Sequence, residues 1–247
     1  MKDILVRLSV LAAVALVSLA SGARESVVFV EAHPDDLAGS MGTALLLSEH
    51  FDVHVIDFTH GERGLTRKAF EDGSCKRTRT AEETAVCAAA GFSLHWCDQV
   101  DGTAFADQSV CEQLRDYLMR IRPRAVFCHW PVDTHADHVM SAAATLKALQ
   151  MAKLGSVEVY FHEQDGQSRG FKATHYVNID AVATRKAEIV SLYACQGGPD
   201  IAKRKAESNR VYGRNSGTGG ATEVFAAHGG QVTPGKSVFD VLKKVLH

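Results

Sequence analysis

Histidine and aspartate residues follow a short apolar segment early in the chain. Residues 27–32 read Val-Val-Phe-Val-Glu-Ala, and His33, Pro34, Asp35 and Asp36 come directly after them. A short run rich in β-branched residues is typical of a buried parallel strand. Pro34 has no N–H to donate to a strand ladder, so the strand is predicted to end there. The three polar residues would then lie just past the carboxyl end of the strand, where open α/β sheets bind ligands.

A second segment has the same pattern. Residues 125–128 read Ala-Val-Phe-Cys, another short apolar strand, and a polar segment follows it. That segment contains five residues of the two types: His129, Asp133, His135, Asp137 and His138. One such segment alone is explained equally well by an ordinary loop with solvated side chains. Two strand ends that each carry His and Asp at short spacing indicate one shared site.

The residue types at these strand ends favour a metal site. His33 and Asp36 offer a nitrogen and an oxygen three residues apart, and His138 offers a second nitrogen. Three protein ligands with the fourth position left open make a catalytic zinc site. Imidazole with carboxylate suits Zn²⁺, and Fe²⁺ or Co²⁺ also fits such ligands. We therefore predict one divalent metal ion held by these three residues, with His135 as a fourth ligand the alternative.

The motifs resemble those of the LmbE-like de-N-acetylases, also called the PIG-L family. Residues 32–37, Ala-His-Pro-Asp-Asp-Leu, are similar to the family's Ala-His-Pro-Asp-Asp-Glu, and residues 131–138 to its Pro-x-Asp-x-His-x-Asp-His. Residues 59–64, Thr-His-Gly-Glu-Arg-Gly, resemble its Thr-x-Gly-Glu-x-Gly loop. The resemblance covers residues 27–225. Leu37 departs from it, because the family usually has Glu at this position.

The resemblance implies a fold and a metal site. The fold is α/β, a Rossmann-like three-layer sandwich with a mainly parallel central sheet. Strands alternating with helices along this chain favour the same class independently. The family's metal ligands correspond to His33, Asp36 and His138.

Two further residues correspond to substrate contacts in the family. Arg79 matches a contact with a substrate hydroxyl, and Asp101 matches an Asp that binds the sugar. For Arg79, an ion pair with a nearby Glu such as Glu82 or Glu83 is the alternative. These two side chains are therefore expected near the metal site, either in contact with substrate or behind the ligands.

Asp35 and His135 are predicted to carry the proton transfers. A carboxylate beside a metal-bound water can take its proton, and Asp35 is adjacent to a ligand without being one. A protonated His135 could stabilise the oxyanion and then protonate the leaving amine. Asp133 or Asp137 could hold that imidazolium, and Asp137 is the closer match to the family.

The first 23 residues are predicted to be a secretory signal peptide. Lys2 and Arg7 make the first seven residues weakly basic. Residues 8–19 form an uncharged apolar run, and small residues follow. That pattern is typical of an export signal, and the run is short for a transmembrane span. An uncleaved membrane anchor is the alternative. We expect export to a periplasmic, extracellular or secretory-lumen compartment, with residues 24–247 forming one catalytic domain and no membrane span left after cleavage.

Composition narrows the function classes. Hydrophobic content of 46% and charged content of 23% are those of a soluble globular protein, and a net charge of −2 argues against a nucleic-acid surface. The function that the family resemblance implies is removal of acetyl from an N-acetylglucosamine-type sugar or glycoconjugate by a metal-dependent hydrolase. A hydrolase of another amide or ester, and a carbohydrate-binding protein with a decayed site, are the alternatives. Oligomeric state is not predicted.

Local patterns also predict the elements around the site. Expected are a polar loop over residues 65–77, a helix over 80–90 ended by Gly91, and a helix capped by Asp107. A helix capped by Asp180 should run to about Cys195, and a glycine-rich loop should cover 213–220. Of the six cysteines, the one in the polar loop, Cys75, is expected to be the most easily oxidised.

Overall fold

The structure is a computed structural model that describes residues 24–229, 237–243 and 245–246. The predicted signal peptide, residues 1–23, lies outside the described residues. Within the described part of the chain, no helix combines the length and apolar character needed to cross a membrane.

In the described part of the chain, eight strands form one sheet, and five of them run parallel. The parallel order is β3-β2-β1-β4-β5, and β7, β6 and β8 extend it antiparallel beyond β5. The strands are β1 (Ser26–Glu31), β2 (Asp52–Thr59), β3 (Ser93–Gln99), β4 (Ala125–His129), β5 (Glu158–His162), β6 (His175–Asn178), β7 (Thr222–Ala227) and β8 (Val245–Leu246). From β1 the chain adds β2 and β3 on one side, and then returns to add β4 and β5 on the other side. The strand order therefore reverses between β1 and β4, and open α/β sheets bind ligands at such a point.

Helices cover both faces of the sheet. They are α1 (Met41–Ser48), α2 (Arg67–Glu71), α3 (Ser74–Ala90), α4 (Gln108–Ile121), α5 (Ala136–Met151), α6 (Ala183–Val190) and α7 (Gly198–Ser216). Short 3₁₀ turns occupy Asp36–Gly39, Asp180–Val182, Ala194–Gln196 and Val238–Val241. The predicted α/β class with a mainly parallel sheet between two helical layers is confirmed.

Alternate side chains of the central strands form two separate apolar cores. Phe29 and Phe127 point to one face, where their rings stack with centroids 4.4 Å apart, and pack with residues of α1, α3, α6 and α7. Val28 and Val126 point to the other face and pack with residues of α4 and α5. This alternation follows from the period of two in a strand. It also means that the last polar residue of each strand faces a predictable layer.

The end of α1 that lies nearest the site is held by a buried ion pair. Lys186 Nζ lies 2.7 Å from Glu223 Oε1, and both side chains are almost fully buried. The Glu223 carboxylate also accepts the N–H groups of Gly42 and Thr43 at 2.8 and 2.7 Å. A carboxylate at this position satisfies donors that every helix start leaves unpaired.

Several local predictions were wrong in instructive ways. The expected polar loop over residues 65–77 forms α2 and the first turn of α3, and the predicted helix from Asp180 is interrupted after Val190. The glycine-rich segment begins inside α7, which ends only at Ser216, and its Gly217 adopts a positive φ of 77°. These elements depend on tertiary packing, which overrides weak local preference.

The cysteine prediction was also wrong. All six cysteines are unpaired in the structure, and Cys75 is fully buried near the start of α3, not exposed in a loop. Its Sγ donates to Gly61 O at 3.5 Å. A buried thiol of this kind behaves as a small apolar side chain.

Candidate active site

The two polar segments meet because their strands are neighbours. β1 and β4 pair in parallel with Val30 opposite Cys128, so both strands end at the same edge of the sheet. The turn that contains His33 and Asp36 leaves β1 at this edge, and the segment that leads into α5 leaves β4 beside it. The prediction of one shared site therefore has a direct topological cause.

The three predicted metal ligands converge on one carboxylate oxygen. His33 Nδ1 lies 3.1 Å from Asp36 Oδ2, and His138 Nε2 lies 3.5 Å from the same oxygen. Asp36 Oδ2 also accepts the backbone N–H of His33 at 2.9 Å. We name His33, Asp35, Asp36, His135 and His138 the edge cluster.

The far nitrogens of both imidazoles face carboxylates. His33 Nε2 lies 3.2 Å from Asp137 Oδ2 and 3.3 Å from Asp101 Oδ1. His138 Nδ1 lies 3.1 Å from Asp133 Oδ1. A carboxylate behind a ligating imidazole fixes its tautomer and turns the other nitrogen towards a metal. These residues thus fit a divalent metal ion, with His33 Nδ1, His138 Nε2 and Asp36 Oδ2 as the donors.

The charges in the cluster support the same assignment. Burial works to raise the pKa of Asp36, but His138 and His129 beside it hold that pKa well below its usual range. Burial works to lower the pKa of His33, but the carboxylates of Asp101, Asp137 and Asp36 hold it well above its usual range. An ionised carboxylate among imidazoles is a ligand set that attracts a cation.

Asp35 adopts a backbone conformation that non-glycine residues rarely take. Its φ is 92° and its ψ is −18°, immediately before the 3₁₀ turn that begins at Asp36. Such a residue is strained, and strain of this kind concentrates at functional sites. Burial raises the pKa of Asp35 to about 7, against the opposing effect of Arg79. A carboxyl group with a pKa near neutrality is suited to act as a general base.

Arg79 holds Asp35 in place. Its Nη2 lies 2.6 Å from Asp35 Oδ1 and also donates to Pro34 O, while Nη1 donates to Gly61 O at 3.2 Å. The guanidinium is almost fully buried. At Gly61, an added Cβ would lie 2.5 Å from Arg79 Cζ, so the glycine makes room for the arginine. The alternative pairing of Arg79 with a neighbouring Glu was wrong, and the side chain lies behind Asp35.

His135 lies beside both ligand imidazoles. Its ring centroid is 4.7 Å from that of His33 and 4.7 Å from that of His138. Nδ1 accepts the N–H of Asp137 at 3.3 Å, which caps α5 and leaves Nε2 uncommitted among the described contacts. His135, His33 and His138 also form a group whose donor atoms lie within 4.8 Å of one another, so the alternative of a fourth ligand stays open.

The predicted protonated state of His135 is not the one that the structure favours. Burial, and then His33 and His138, lower its pKa. Among the described residues, neither the Asp133 carboxylate nor the Asp137 carboxylate makes a hydrogen bond or ion pair with the His135 ring; Asp137 contacts it through its backbone N–H. Asp133 Oδ1 instead accepts the His135 backbone N–H at 2.8 Å, and Asp137 Oδ2 accepts the Gly102 N–H at 2.6 Å. The two carboxylates therefore orient the ligands and the loops, and do not hold an imidazolium at His135.

Asp101 and Leu37 occupy opposite environments. Asp101 is at the edge cluster, where its Oδ2 accepts the Arg63 N–H at 2.9 Å and so connects the cluster to the 59–64 loop. Leu37, which stands where the resembling family usually has Glu, is 1% exposed and packs in the apolar core. This chain therefore has no carboxylate at that position.

A second group of polar side chains was not predicted. Asp57, Glu31, His129 and His162 stand at or near the ends of four adjacent strands, and all are buried. We name these four residues the buried row. His129 Nε2 lies 3.3 Å from Asp36 Oδ2, so the row touches the edge cluster.

The sequence did contain a signal for the buried row. Each of its residues follows an alternating pattern in which the preceding inward positions on the same face are apolar, such as Phe29 before Glu31 and Phe127 before His129. A polar residue at an inward position needs a partner, because an unpaired buried polar group is costly. The strand order, which the sequence does not show, was needed to find that partner.

Part of the sequence matches a known protein family. The family model for PIG-L, described as GlcNAc-PI de-N-acetylase, matches residues 28–149. A comparison with curated protein sequences finds no match.

Several solved structures share the fold. The 4-carboxy-2-hydroxymuconate hydratase GalB of Pseudomonas putida superposes with a TM-score of 0.74 at 22% identity, covering 85% of this chain and 98% of that one. The N,N′-diacetylchitobiose deacetylase of Pyrococcus horikoshii gives 0.72 at 20% identity, covering 86% and 88%. A deacetylase of teicoplanin biosynthesis gives 0.63 at 15% identity, covering 83% and 100%. Because a hydratase and deacetylases share this fold, the fold alone does not decide the reaction.

Proposed function

Since the chain belongs to the PIG-L, or LmbE-like, family of de-N-acetylases, we propose that it is a metal-dependent hydrolase of an N-acetylglucosamine-type sugar or glycoconjugate. The products are acetate and a free amine. Zn²⁺ is the first choice of metal, because it is typical of the family and suits two imidazoles and a carboxylate. Fe²⁺ and Co²⁺ fit the same donors.

One observation carries the proposal. Both ligand imidazoles of the edge cluster have a carboxylate behind the nitrogen that faces away from Asp36, at 3.1 to 3.3 Å. This arrangement orients two imidazoles towards one metal ion. Asp35 and His135 lie beside these imidazoles, and neither of them is one of the carboxylates that orient the ligands. A binding module with a decayed site would not need these prepared ligands together with two proton-transfer groups.

Asp35 is placed to receive the first proton. A divalent metal bound at His33, Asp36 and His138 would lower the pKa of its water and polarise the acetamide carbonyl. Asp35, whose carboxylate lies beside the ligands, would accept the proton of the attacking water as the new C–O bond forms. Arg79 fixes the direction of this carboxylate through the 2.6 Å contact to Oδ1. The other carboxylate oxygen of Asp35 is then the one that accepts the proton.

His135 is placed to act at the other end of the reaction. Its Nδ1 accepts the Asp137 N–H, so Nε2 faces the cluster as the reactive nitrogen. In the neutral form that burial favours, Nδ1 accepts the Asp137 N–H, so Nε2 carries the ring proton and donates a hydrogen bond to the developing oxyanion. As the C–N bond breaks, Nε2 passes its proton to the leaving nitrogen, and the proton that Asp35 took from the water returns to the ring.

The substrate class rests on family membership and on the predicted export signal. An exported enzyme meets envelope or extracellular glycans, so we propose a glycan or glycoconjugate with an accessible N-acetylglucosamine. The deacetylase of Pyrococcus horikoshii, which acts on diacetylchitobiose by its name, supports a sugar substrate for this fold. Export itself is tested by sequencing the amino terminus of secreted protein, which should begin near residue 24 and not at Met1.

Acetate release is the experiment that tests the proposed reaction. The zinc-loaded protein is incubated with N-acetylglucosamine, its β-1,4 oligomers, an N-acetylated amino acid and a simple aryl acetate ester. Acetate and new primary amine should appear in equal amounts from at least one N-acetylated sugar. Release from the ester or the amino acid alone would replace the sugar proposal by the other hydrolase class.

The control for this assay uses one histidine against another. His138→Ala should abolish acetate release, whereas His50→Ala, which changes an exposed histidine at the end of α1, should leave it unchanged. Removal of metal by a chelator should stop release, and added Zn²⁺ should restore it. Activity that survives both His138→Ala and complete metal removal would contradict the metal-dependent mechanism.

A further inference from the structure

The buried row lies on one face of the sheet, directly beneath the edge cluster. Glu31 is opposite Asp57 in the β1–β2 ladder, and His129 is opposite His162 in the β4–β5 ladder. Because Val30 is opposite Cys128, Glu31 and His129 are neighbours across the middle ladder as well. The row thus runs across four strands.

Three members of the row are close enough to share one ion. Glu31 Oε2 lies 3.1 Å from His162 Nε2 and 3.4 Å from His129 Nε2. All three donor atoms lie within 4.8 Å of one another. Zinc binds nitrogen and oxygen at about 2.0–2.2 Å, so two donors of a tetrahedral site lie about 3.3 Å apart. The observed spacings match that value.

Hydrogen bonds among the described residues do not satisfy these atoms. Neither oxygen of Glu31 has a hydrogen-bond partner, although the side chain is fully buried. His129 Nε2 accepts the Ala32 N–H at 3.0 Å, so this nitrogen carries no proton for Glu31, and an ion bound to it would take over the lone pair that the Ala32 N–H uses. A buried carboxylate without a hydrogen bond is costly in a protein interior, and the ion-pair contacts of Glu31 among the described residues are with His162 and His129.

Two carboxylates approach one unprotonated nitrogen of the row. Asp36 Oδ2 lies 3.3 Å from His129 Nε2, and Glu31 Oε2 lies 3.4 Å from it. Asp36 is assigned to the metal ion of the edge cluster. A second divalent cation would neutralise the Glu31 carboxylate and have the unprotonated nitrogen among its ligands, as metal-binding histidines require.

We propose that Glu31, His129 and His162 form a second metal site, which binds a divalent transition-metal ion of the zinc type. Two imidazoles and a carboxylate are again the ligand set. All three side chains are at most 2% exposed, so substrate does not reach them, the site is structural, and metal exchanges there through local opening of the chain. The ion joins the carboxyl ends of β1, β4 and β5 and holds Asp36 from below.

Metal content of the purified protein tests this site. The full chain is stripped with a chelator, reloaded with Zn²⁺, freed of loose metal by gel filtration and measured by elemental analysis. The wild type should retain two ions per chain. Glu31→Gln and His162→Gln should each retain one, and His33→Ala should lose the ion of the edge cluster but keep the buried one.

Asp57→Asn is the matched control. It removes a carboxylate from the same buried row but from a residue outside the group of three donors, so the protein should still bind two ions. One ion in the wild type, with none left in His33→Ala, would show that Glu31 and His162 form only a buried ion pair and would overturn the proposal.

A metal titration of the wild-type protein tests the site without any substitution that could prevent folding. Apo-protein titrated with Co²⁺ should show two saturable steps in visible absorption, and the second metal should raise the melting temperature. A single step ending at one equivalent would refute the site. Acetate release is measured separately, so an inactive protein that binds two ions would contradict the proposed reaction and leave the second site supported.

Discussion

The edge cluster and the buried row use the same side chains but differ in access to solvent. Each combines imidazoles with carboxylates, and they approach to 3.3 Å between His129 Nε2 and Asp36 Oδ2. The edge cluster follows the strands, where the chain leaves the sheet, and the Asp35 side chain is 23% exposed. The buried row lies within the strands, where Glu31 is 0% exposed. Position relative to the strand end thus separates a reactive site from a supporting one.

The backbone differs in the same way. Glu31 and His129 have ordinary strand conformations with paired ladders, whereas Asp35 has a φ of 92°. A regular strand places its side chains at fixed heights, and a tight turn after it can direct a side chain towards a ligand. The proposed chemistry therefore lies where the regular structure ends.

The largest expected effect comes from removing a metal ligand of the edge cluster, which should reduce both metal content and kcat. Asp36→Ala and His138→Ala should lose the ion of the edge cluster and reduce kcat by about a thousandfold or more, since the metal supplies both the nucleophile and charge stabilisation. Acetate release and metal content measure this. An Asp36→Ala protein with full metal content and native rate would remove Asp36 from the ligand set.

A smaller effect is expected for the two proton-transfer residues. Asp35→Asn and His135→Gln should each keep the metal but reduce kcat by on the order of a hundredfold, because each loses one general acid–base step. Metal analysis beside steady-state kinetics makes the distinction. Loss of the edge-cluster metal in His135→Gln would instead identify His135 as a fourth ligand.

The stability of the fold should depend on pH through a buried carboxyl group outside both clusters. Burial raises the pKa of Glu83, on α3, from 4.5 to about 7. The folded state therefore favours the protonated form, and stability should fall as pH rises from about 4.5 through about 7, by about 1–3 kcal/mol. Urea unfolding across this range should show that loss in the wild type and a smaller one in Glu83→Gln.

Exposed glutamate provides the control for that titration. Glu188 lies on α6 with its side chain 61% exposed, so Glu188→Gln should leave the pH dependence of stability as in the wild type. Equal slopes in Glu83→Gln and the wild type would show that Glu83 does not titrate with a raised pKa.

The smallest effect should come from a residue remote from both groups. The Asp107 side chain accepts the Val110 N–H at 3.0 Å and caps α4. Asp107→Ala should cost about 1 kcal/mol of unfolding free energy, and Asp107→Asn much less, with metal content and kcat unchanged in both. A rate change in Asp107→Ala would mean that helix stability is coupled to the site.

Much of the edge cluster was predictable because its residues are close in sequence. Residues 33–36 and 133–138 each concentrate several chemical groups behind an apolar strand, and that pattern predicts a strand end with a ligand site. The cap at Asp107 was predictable for the same reason, since capping depends on residues three apart. Local spacing is sufficient where one segment makes the interaction.

The roles of the supporting carboxylates were not predictable at the same level. Asp133 and Asp137 are each two residues from His135 in sequence, yet their carboxylates face His138 and His33. Side-chain direction here depends on where α5 begins, and Arg79 reaches Asp35 from a helix 44 residues away in sequence. Spacing shows which groups are near, and packing decides which of them meet.

By itself, the sequence determined the α/β class, the strand ends that carry the chemistry and the candidate ligands His33, Asp36 and His138. Period-two apolar runs and turn-forming residues are local properties, so they can be read from one chain. The tertiary structure alone decided that Glu31, His129 and His162 come together, because their contacts cross three strands whose order and register are set by long-range packing. A polar residue inside an apolar strand has meaning only once its neighbours across the sheet are known.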